Sequence, residues 1–166
     1  MEDLIYSLIP YAPLTVFFAS FLDIFFLTGL ILYGGAMLGM VLMMLSTGMI
    51  SVEVLILSAY AGTITGNITN YWIGRLWGET EFIKNKMSNP KIHKIQQRMR
   101  SNNLTFFIFI TRFITFTRPL YALALGTFEI KFRKFILNEL VIALVWIVFW
   151  LTTILQGQNI FYQLFD

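Results

Sequence analysis

The chain has 166 residues, 57% of them hydrophobic and 13% charged, with a net charge of +3 and no cysteine. Ordinary soluble domains run about 45–50% apolar and about 25% charged, so the balance points to a single integral membrane domain. Without cysteine there is neither a disulfide framework nor a thiolate metal site. In chain order, residues 1–19 are short, apolar and interrupted by Pro10 and Pro13, which suits an interfacial or partly inserted lead-in helix. Residues 20–49 are apolar except for Asp23 and carry the series Gly29, Gly34, Gly35, Gly39 and Gly48. They fit either one long spanning helix or a re-entrant hairpin turning near Thr28-Gly29, since glycine permits both close packing and unusual backbone. Residues 51–77 are long enough to span a bilayer core, which takes about 20 residues. Within them Ala59, Gly62, Gly66 and Asn70 recur every three or four residues and form a smooth face for helix contact. Glu53 lies near the start, where an acid complements the helix dipole.

Residues 79–103 change character. Lys84, Lys86, Lys91, Lys94, Arg98 and Arg100 follow Arg75, against Glu79 and Glu81. Under the positive-inside rule this is the cytoplasmic connection. Asn89-Pro90 is a helix start signal. Beyond it Ile92, Ile95 and Met99 share one face and the basic residues mostly the other, as in an amphipathic helix lying on an anionic leaflet. His93, the lone histidine, reads as a solvated surface residue.

Residues 104–130 are almost wholly apolar, yet contain Arg112 and Arg118. A charge at bilayer depth costs about 2.5–3.5 kcal/mol even on the lenient scale. Pro119 removes a backbone donor, and broken backbone persists in a membrane only where protein or a wet cavity surrounds it. A second hairpin is therefore expected, turning near Arg118-Pro119 and returning by Lys131. Residues 132–155 span again, opened by Lys131, Arg133 and Lys134, with Glu139 about two turns in and Gln156-Gly157-Gln158 at the exit. The basic residues put the mouth of the second hairpin in the cytoplasm, so the first should open outward. The expected architecture is all-α: two units in opposite orientation, each a re-entrant hairpin and a transmembrane helix, joined by the amphipathic linker. In such inverted repeats the substrate site lies between the repeats near the midplane.

On one continuous helix Arg112 and Arg118 would face different ways; across a broken hairpin they converge. Paired guanidinium groups suit a phosphate head group, which they bind bidentately. The competing expectation is that they snorkel to the interface or pair with Asp23, Glu53 or Glu139. Asp23 and Glu139 are the candidate counter-charges, and a buried, partly paired acid is a candidate for proton coupling. The tryptophans Trp72, Trp77, Trp146 and Trp150 read as interface and packing anchors. There is no nucleotide-binding loop, metal-ligand spacing or nucleophile with a base, so neither metal, cofactor nor catalysis is expected.

The run Arg112-Phe113-Ile114 with Arg118 follows Phe106, Phe107 and Phe109 and precedes Ala122, Ala124 and Gly126, then Arg133, Phe135, Asn138, Ala143 and Trp146. It resembles a signature of the DedA family, also called the VTT or SNARE-associated domain family. A second signature is matched by Gly62, Gly66-Asn67, Tyr71, Ile73-Gly74-Arg75 and Gly78. Asp23 falls at the first acidic position of that family, whereas Thr28-Gly29-Leu30 replaces its second acid, Asn67 its usual Asp, and Thr115-Phe116 its Pro-Gly. The resemblance implies a transporter that flips or scrambles a phospholipid or polyprenyl phosphate between leaflets of the bacterial inner membrane. In such a transporter the chemistry of the side chains gives phosphate binding to Arg112 and Arg118 and charge balance or proton coupling to Asp23 and Glu139. Gly62, Gly66, Asn67, Arg75 and Asn138 would provide helix packing and a polar pathway. Its partners would be membrane lipids rather than nucleic acid, with homo-oligomerisation left open. Two other readings stand beside it: a small-ion or proton-coupled antiporter, and a non-transporting membrane scaffold.

Overall fold

The computed structural model describes residues 9–29, 35–81, 104–114 and 117–165, together with 83, 85, 90, 94, 96 and 97. Among the described residues the protein is all-helical, without strands. A 3₁₀ turn at Ile9–Tyr11 opens helix α1, Ala12–Ile24. Pro13 sits in the first turn, where its missing N–H has no helical partner to lose. The helix consequently runs straight through the boundary expected between residues 19 and 20. It stops where Phe25 turns extended (φ −62°, ψ 131°), so residues 20–49 are not one continuous helix. The turn that follows needs glycine: a Cβ on Gly29 would lie 2.3 Å from the carbonyl oxygen of Asp23.

Helix α2 spans Gly35–Ser46 and leads into a turn at Gly48, whose φ of 67° suits a residue without a side chain. Ser51 then caps helix α3, Val52–Gly78, by accepting from the Val54 N–H at 3.4 Å. At about 1.5 Å per residue α3 is roughly 40 Å long. One face of it, Ala59, Gly62, Thr63, Gly66, Asn67, Asn70, Gly74 and Gly78, is buried. The missing side chains let two other helices press backbone to backbone on this face. A Cβ on Gly62 would lie 2.3 Å from the Phe17 oxygen of α1, and one on Gly74 would lie 2.0 Å from the Leu123 oxygen.

Leu123 belongs to the second broken segment. Helix α4, Leu104–Phe113, ends before Pro119, and helix α5, Tyr121–Thr127, begins after it. Proline cannot supply the next helical N–H, and it also disfavours helical backbone at the residue before it. Glu129, with φ 55°, turns the chain into helix α6, Phe132–Phe165. This helix continues beyond residue 155, where the sequence reading ended it. No proline follows, and a lone glycine in a helix interior costs only about 1 kcal/mol. Its segment Phe132–Thr153 is, among the described residues, the one helix both long and apolar enough to cross a membrane. Helix α3 has the length, but its inward face is polar and small. The linker expected over 79–103 falls largely outside the described residues, as do His93 and the Thr115-Phe116 pair; Gln96, which is helical, donates to the Phe128 carbonyl at 3.0 Å.

Helices α3 and α6 run antiparallel. Tyr60 donates to the Leu140 carbonyl at 3.0 Å, and Tyr71, further along α3, reaches back to Ile130 at 2.6 Å. One apolar core, including Tyr71, Ile108, Leu125 and Phe135, surrounds α5. The other, including Val16, Val41, Leu55 and Leu151, joins α1 and α2 to the opposite ends of α3 and α6. The buried polar residues of α3 and α6 lie between these cores.

Because the oxygen facing Gly74 is backbone and cannot swing away, Gly74→Ala is expected to cost about 1–3 kcal/mol, as overpacking does. Thermal unfolding in detergent should show a lower midpoint for that variant and none for Thr65→Ala on the exposed face of the same helix.

Candidate functional site

Helix α4 delivers Arg112 from its last turn into the interior, where its side chain is 1% exposed. Its Nη2 pairs with Oε1 of Glu139, a carboxylate with no exposed surface, and donates to the Tyr121 hydroxyl at 3.2 Å. Tyr121 in turn donates to Glu139 Oε2 at 2.5 Å. From α3, the Asn67 amide donates to Glu139 Oε1 at 2.8 Å. Four successive described helices, α3 to α6, thus each give one side chain to a single polar cluster. The Arg112 Cζ also lies 5.9 Å from the Tyr121 ring centroid, within range of a cation–π contact.

Arg118 stands in the turn between α4 and α5 and pairs with Asp23 of α1, Nη2 to Oδ2 at 2.8 Å. It is more accessible, its side chain being 19% exposed. Its Cζ lies 5.9 Å from the ring centroid of Trp146 on α6. Both arginines therefore have a carboxylate partner, as one of the two sequence expectations held. Glu53, the third acid considered, is exposed in the first turn of α3.

The pairing is incomplete. Arg112 Nε and Nη1, Arg118 Nε and Asn67 Oδ1 are buried and have no hydrogen-bond partner among the described residues. Each such group ordinarily carries a penalty of about 1–3 kcal/mol. Each guanidinium thus gives only part of its fork to an acid and keeps donors for another acceptor.

Asn70, one turn along from Asn67, has a different task. Its Nδ2 donates to Ile24 at 2.8 Å and to Pro119 at 3.1 Å, and its Oδ1 accepts from the Phe26 N–H at 3.1 Å. It therefore satisfies backbone groups freed at both helix breaks. The sequence reading treated Asn70 as one of a row of small packing residues and gave Tyr121 no role. An amide or a hydroxyl within an apolar segment needs a partner, but those partners lie 46, 49 and 18 residues away.

Of the other residues assigned to the polar pathway, Gly62 and Gly66 contact α1. Arg75 is in the last turn of α3, two turns beyond Asn67. Asn138 accepts from Thr105 and donates to the Lys134 carbonyl at 2.7 Å, tying α6 to α4. Among the described residues no group of three or more His, Cys, Asp or Glu is placed to hold a metal ion.

Comparison with known proteins gives two matches. The family model for the VTT domain matches residues 39–156, more than half of the chain, including Arg112, Arg118 and Glu139. The inner membrane protein YabI of Escherichia coli (strain K12) is 26% identical over 165 residues, covering 96% of this chain and 64% of that protein. The chain thus spans less than two thirds of that relative's length. No solved structure matches.

Removing one member of a buried ion pair strands the other charge, at about 3–5 kcal/mol, whereas replacing both by apolar residues is often close to neutral. Glu139→Met is therefore expected to lower the yield of folded protein and its melting midpoint in detergent. The double variant Arg112→Met/Glu139→Met should recover most of both.

Proposed function

This chain belongs to the VTT-domain (DedA) family of integral membrane proteins, and on that premise we propose that it moves a phosphate-bearing lipid between the leaflets of a bacterial inner membrane. The observation that carries the proposal is the set of guanidinium N–H groups on Arg112 and Arg118 left without an acceptor at the break between α4 and α5. A phosphate has the charge and the oxygens to take them. Permanently charged and planar, arginine keeps this capacity at any depth. The site takes a phospholipid or polyprenyl phosphate by its head group while the apolar chains stay in the bilayer.

The helix breaks after Ile24 and before Tyr121 are read as the tips of two re-entrant hairpins in an inverted repeat, with the head group passing between them. Two features support this reading: Asn70 bonds to backbone at both breaks, and α3 and α6 are antiparallel. An arriving phosphate competes with Asp23 for Arg118 and with Glu139 for Arg112. The displaced carboxylate then needs another positive partner, and a proton in that role would couple the movement to a proton gradient. The protein acts here as a transporter rather than an enzyme.

A specific observation favours a second reading. Each arginine already has a carboxylate partner, which is what a non-transporting scaffold would require. A small-ion or proton-coupled antiporter would instead use Asp23 or Glu139 as its titrating group.

In liposomes, the purified protein is expected to move a head-group-labelled anionic phospholipid, and Arg118→Lys, which keeps the charge but loses the fork, to slow it by about tenfold or more. Absence of movement with correctly inserted protein overturns the lipid reading; indifference to Arg118→Lys removes the arginine site from it. Asp23→Asn separates the antiporter: under that reading it abolishes transport driven by a pH gradient, whereas under the lipid reading gradient-free lipid movement stays largely intact.

A further inference from the structure

Trp146 is the side chain that joins Arg118 to the aromatic rings of α4 and α6. On one side its ring lies 5.9 Å from the Arg118 Cζ. On the other it meets Phe113 edge to face, with centroids 5.0 Å apart and planes at 89°. Phe113 continues to Phe109 at 5.0 Å, and Trp146 to Phe149 at 6.1 Å. Trp146 itself is only 9% exposed, while Phe109, Phe113 and Phe149 are 41–53% exposed. The rings therefore form an uncharged track that joins an exposed face of α4 and α6 to one guanidinium. Arg118, at the end of this track, is the more accessible of the two arginines and has an unpartnered Nε, whereas Arg112 is fully buried.

We propose that the seam between α4 and α6, at Phe113 and Trp146, is the lateral binding site for the apolar chain of an anionic lipid whose phosphate rests on Arg118. The inference deepens the lipid reading above and rests on it. A free anion would need only the arginine. A guanidinium that keeps an unpartnered Nε beside its Asp23 partner, at the end of an apolar aromatic track, complements a molecule with one anionic head and a long apolar tail. Phe113 and Trp146 are then the residues that select for the tail, and Arg118 selects for the head. Since the track opens sideways, the lipid reaches the site from within its own leaflet.

Trp146 is a natural probe of its own seam. A variant with Trp72→Phe, Trp77→Phe and Trp150→Phe leaves it as the sole tryptophan. In nanodiscs of unbrominated phosphatidylcholine, brominated-chain phosphatidylglycerol is expected to quench Trp146 at about a tenfold lower mole fraction than brominated-chain diacylglycerol, the factor that one charge-assisted hydrogen bond supplies. Arg118→Gln should remove the difference. A protein retaining only the half-exposed Trp72 should show no difference, and it provides the comparison if the Arg118 variant does not fold. Equal quenching of Trp146 by both lipids overturns the seam. If head-group movement in liposomes is nonetheless seen, the transport reading stands without it. If the seam discriminates but no head group moves, the transport reading fails and a lipid-binding site remains.

Discussion

Everything in this protein is arranged around two guanidinium groups that cannot lose their charge in an apolar interior. Moving a single ion into such surroundings costs several kcal/mol even after relaxation. The chain meets that cost with carboxylates brought from elsewhere, Glu139 to Arg112 and Asp23 to Arg118. Each acid comes from a helix remote in sequence, so the electrostatics demand a particular tertiary arrangement of helices. Tyr121 and Asn67 then fix the position of Glu139, one on each carboxylate oxygen. The two ion pairs also differ in accessibility, Arg112 being sealed and Arg118 partly open, which gives the site an inner and an outer member.

The arrangement depends on helix α3 being bare on one side. Its glycines let α1 and α5 approach so closely that their carbonyl oxygens occupy the volume of absent side chains. Helices at ordinary spacing would hold Asn70 too far from Ile24 and Pro119 for hydrogen bonds of 2.8–3.1 Å. The small residues thus set the distance, and Asn70 uses it. In an apolar medium, where lipid offers no hydrophobic drive for helices to associate, such packing and polar contacts are what hold helices together.

Much of this was legible in the sequence because charge and proline are rare in apolar runs. Arg112, Arg118 and Pro119 marked the break in residues 104–130, and Asp23 and Glu139 were the acids available to neutralise them. The spacing of Gly62 and Gly66 foretold a packing face on the helix that carries them. What could not be read was which distant group each polar residue would meet. Asn70 and Tyr121 look ordinary in one dimension, and their importance appears only when residues 24, 119 and 139 are brought beside them. Local boundaries also misled. Pro10 and Pro13 stand in the opening turns, where proline is tolerated, and the helix that follows runs past the boundary expected at residue 19. Gln156-Gly157-Gln158 was read as the exit from the bilayer, and the apolar span does end at Thr153, yet the helix itself runs on to Phe165 because polar residues and one glycine do not stop a helix.

The position of Asn70 has a mechanical consequence. A single amide group, at the end of one short side chain, serves peptide groups at two helix breaks far apart in sequence. Moving either break away from α3 withdraws a bond from the same amide. The two breaks thus share one anchor on α3, and a residue that cannot offer both a donor and an acceptor there would leave backbone groups at both of them unpaired.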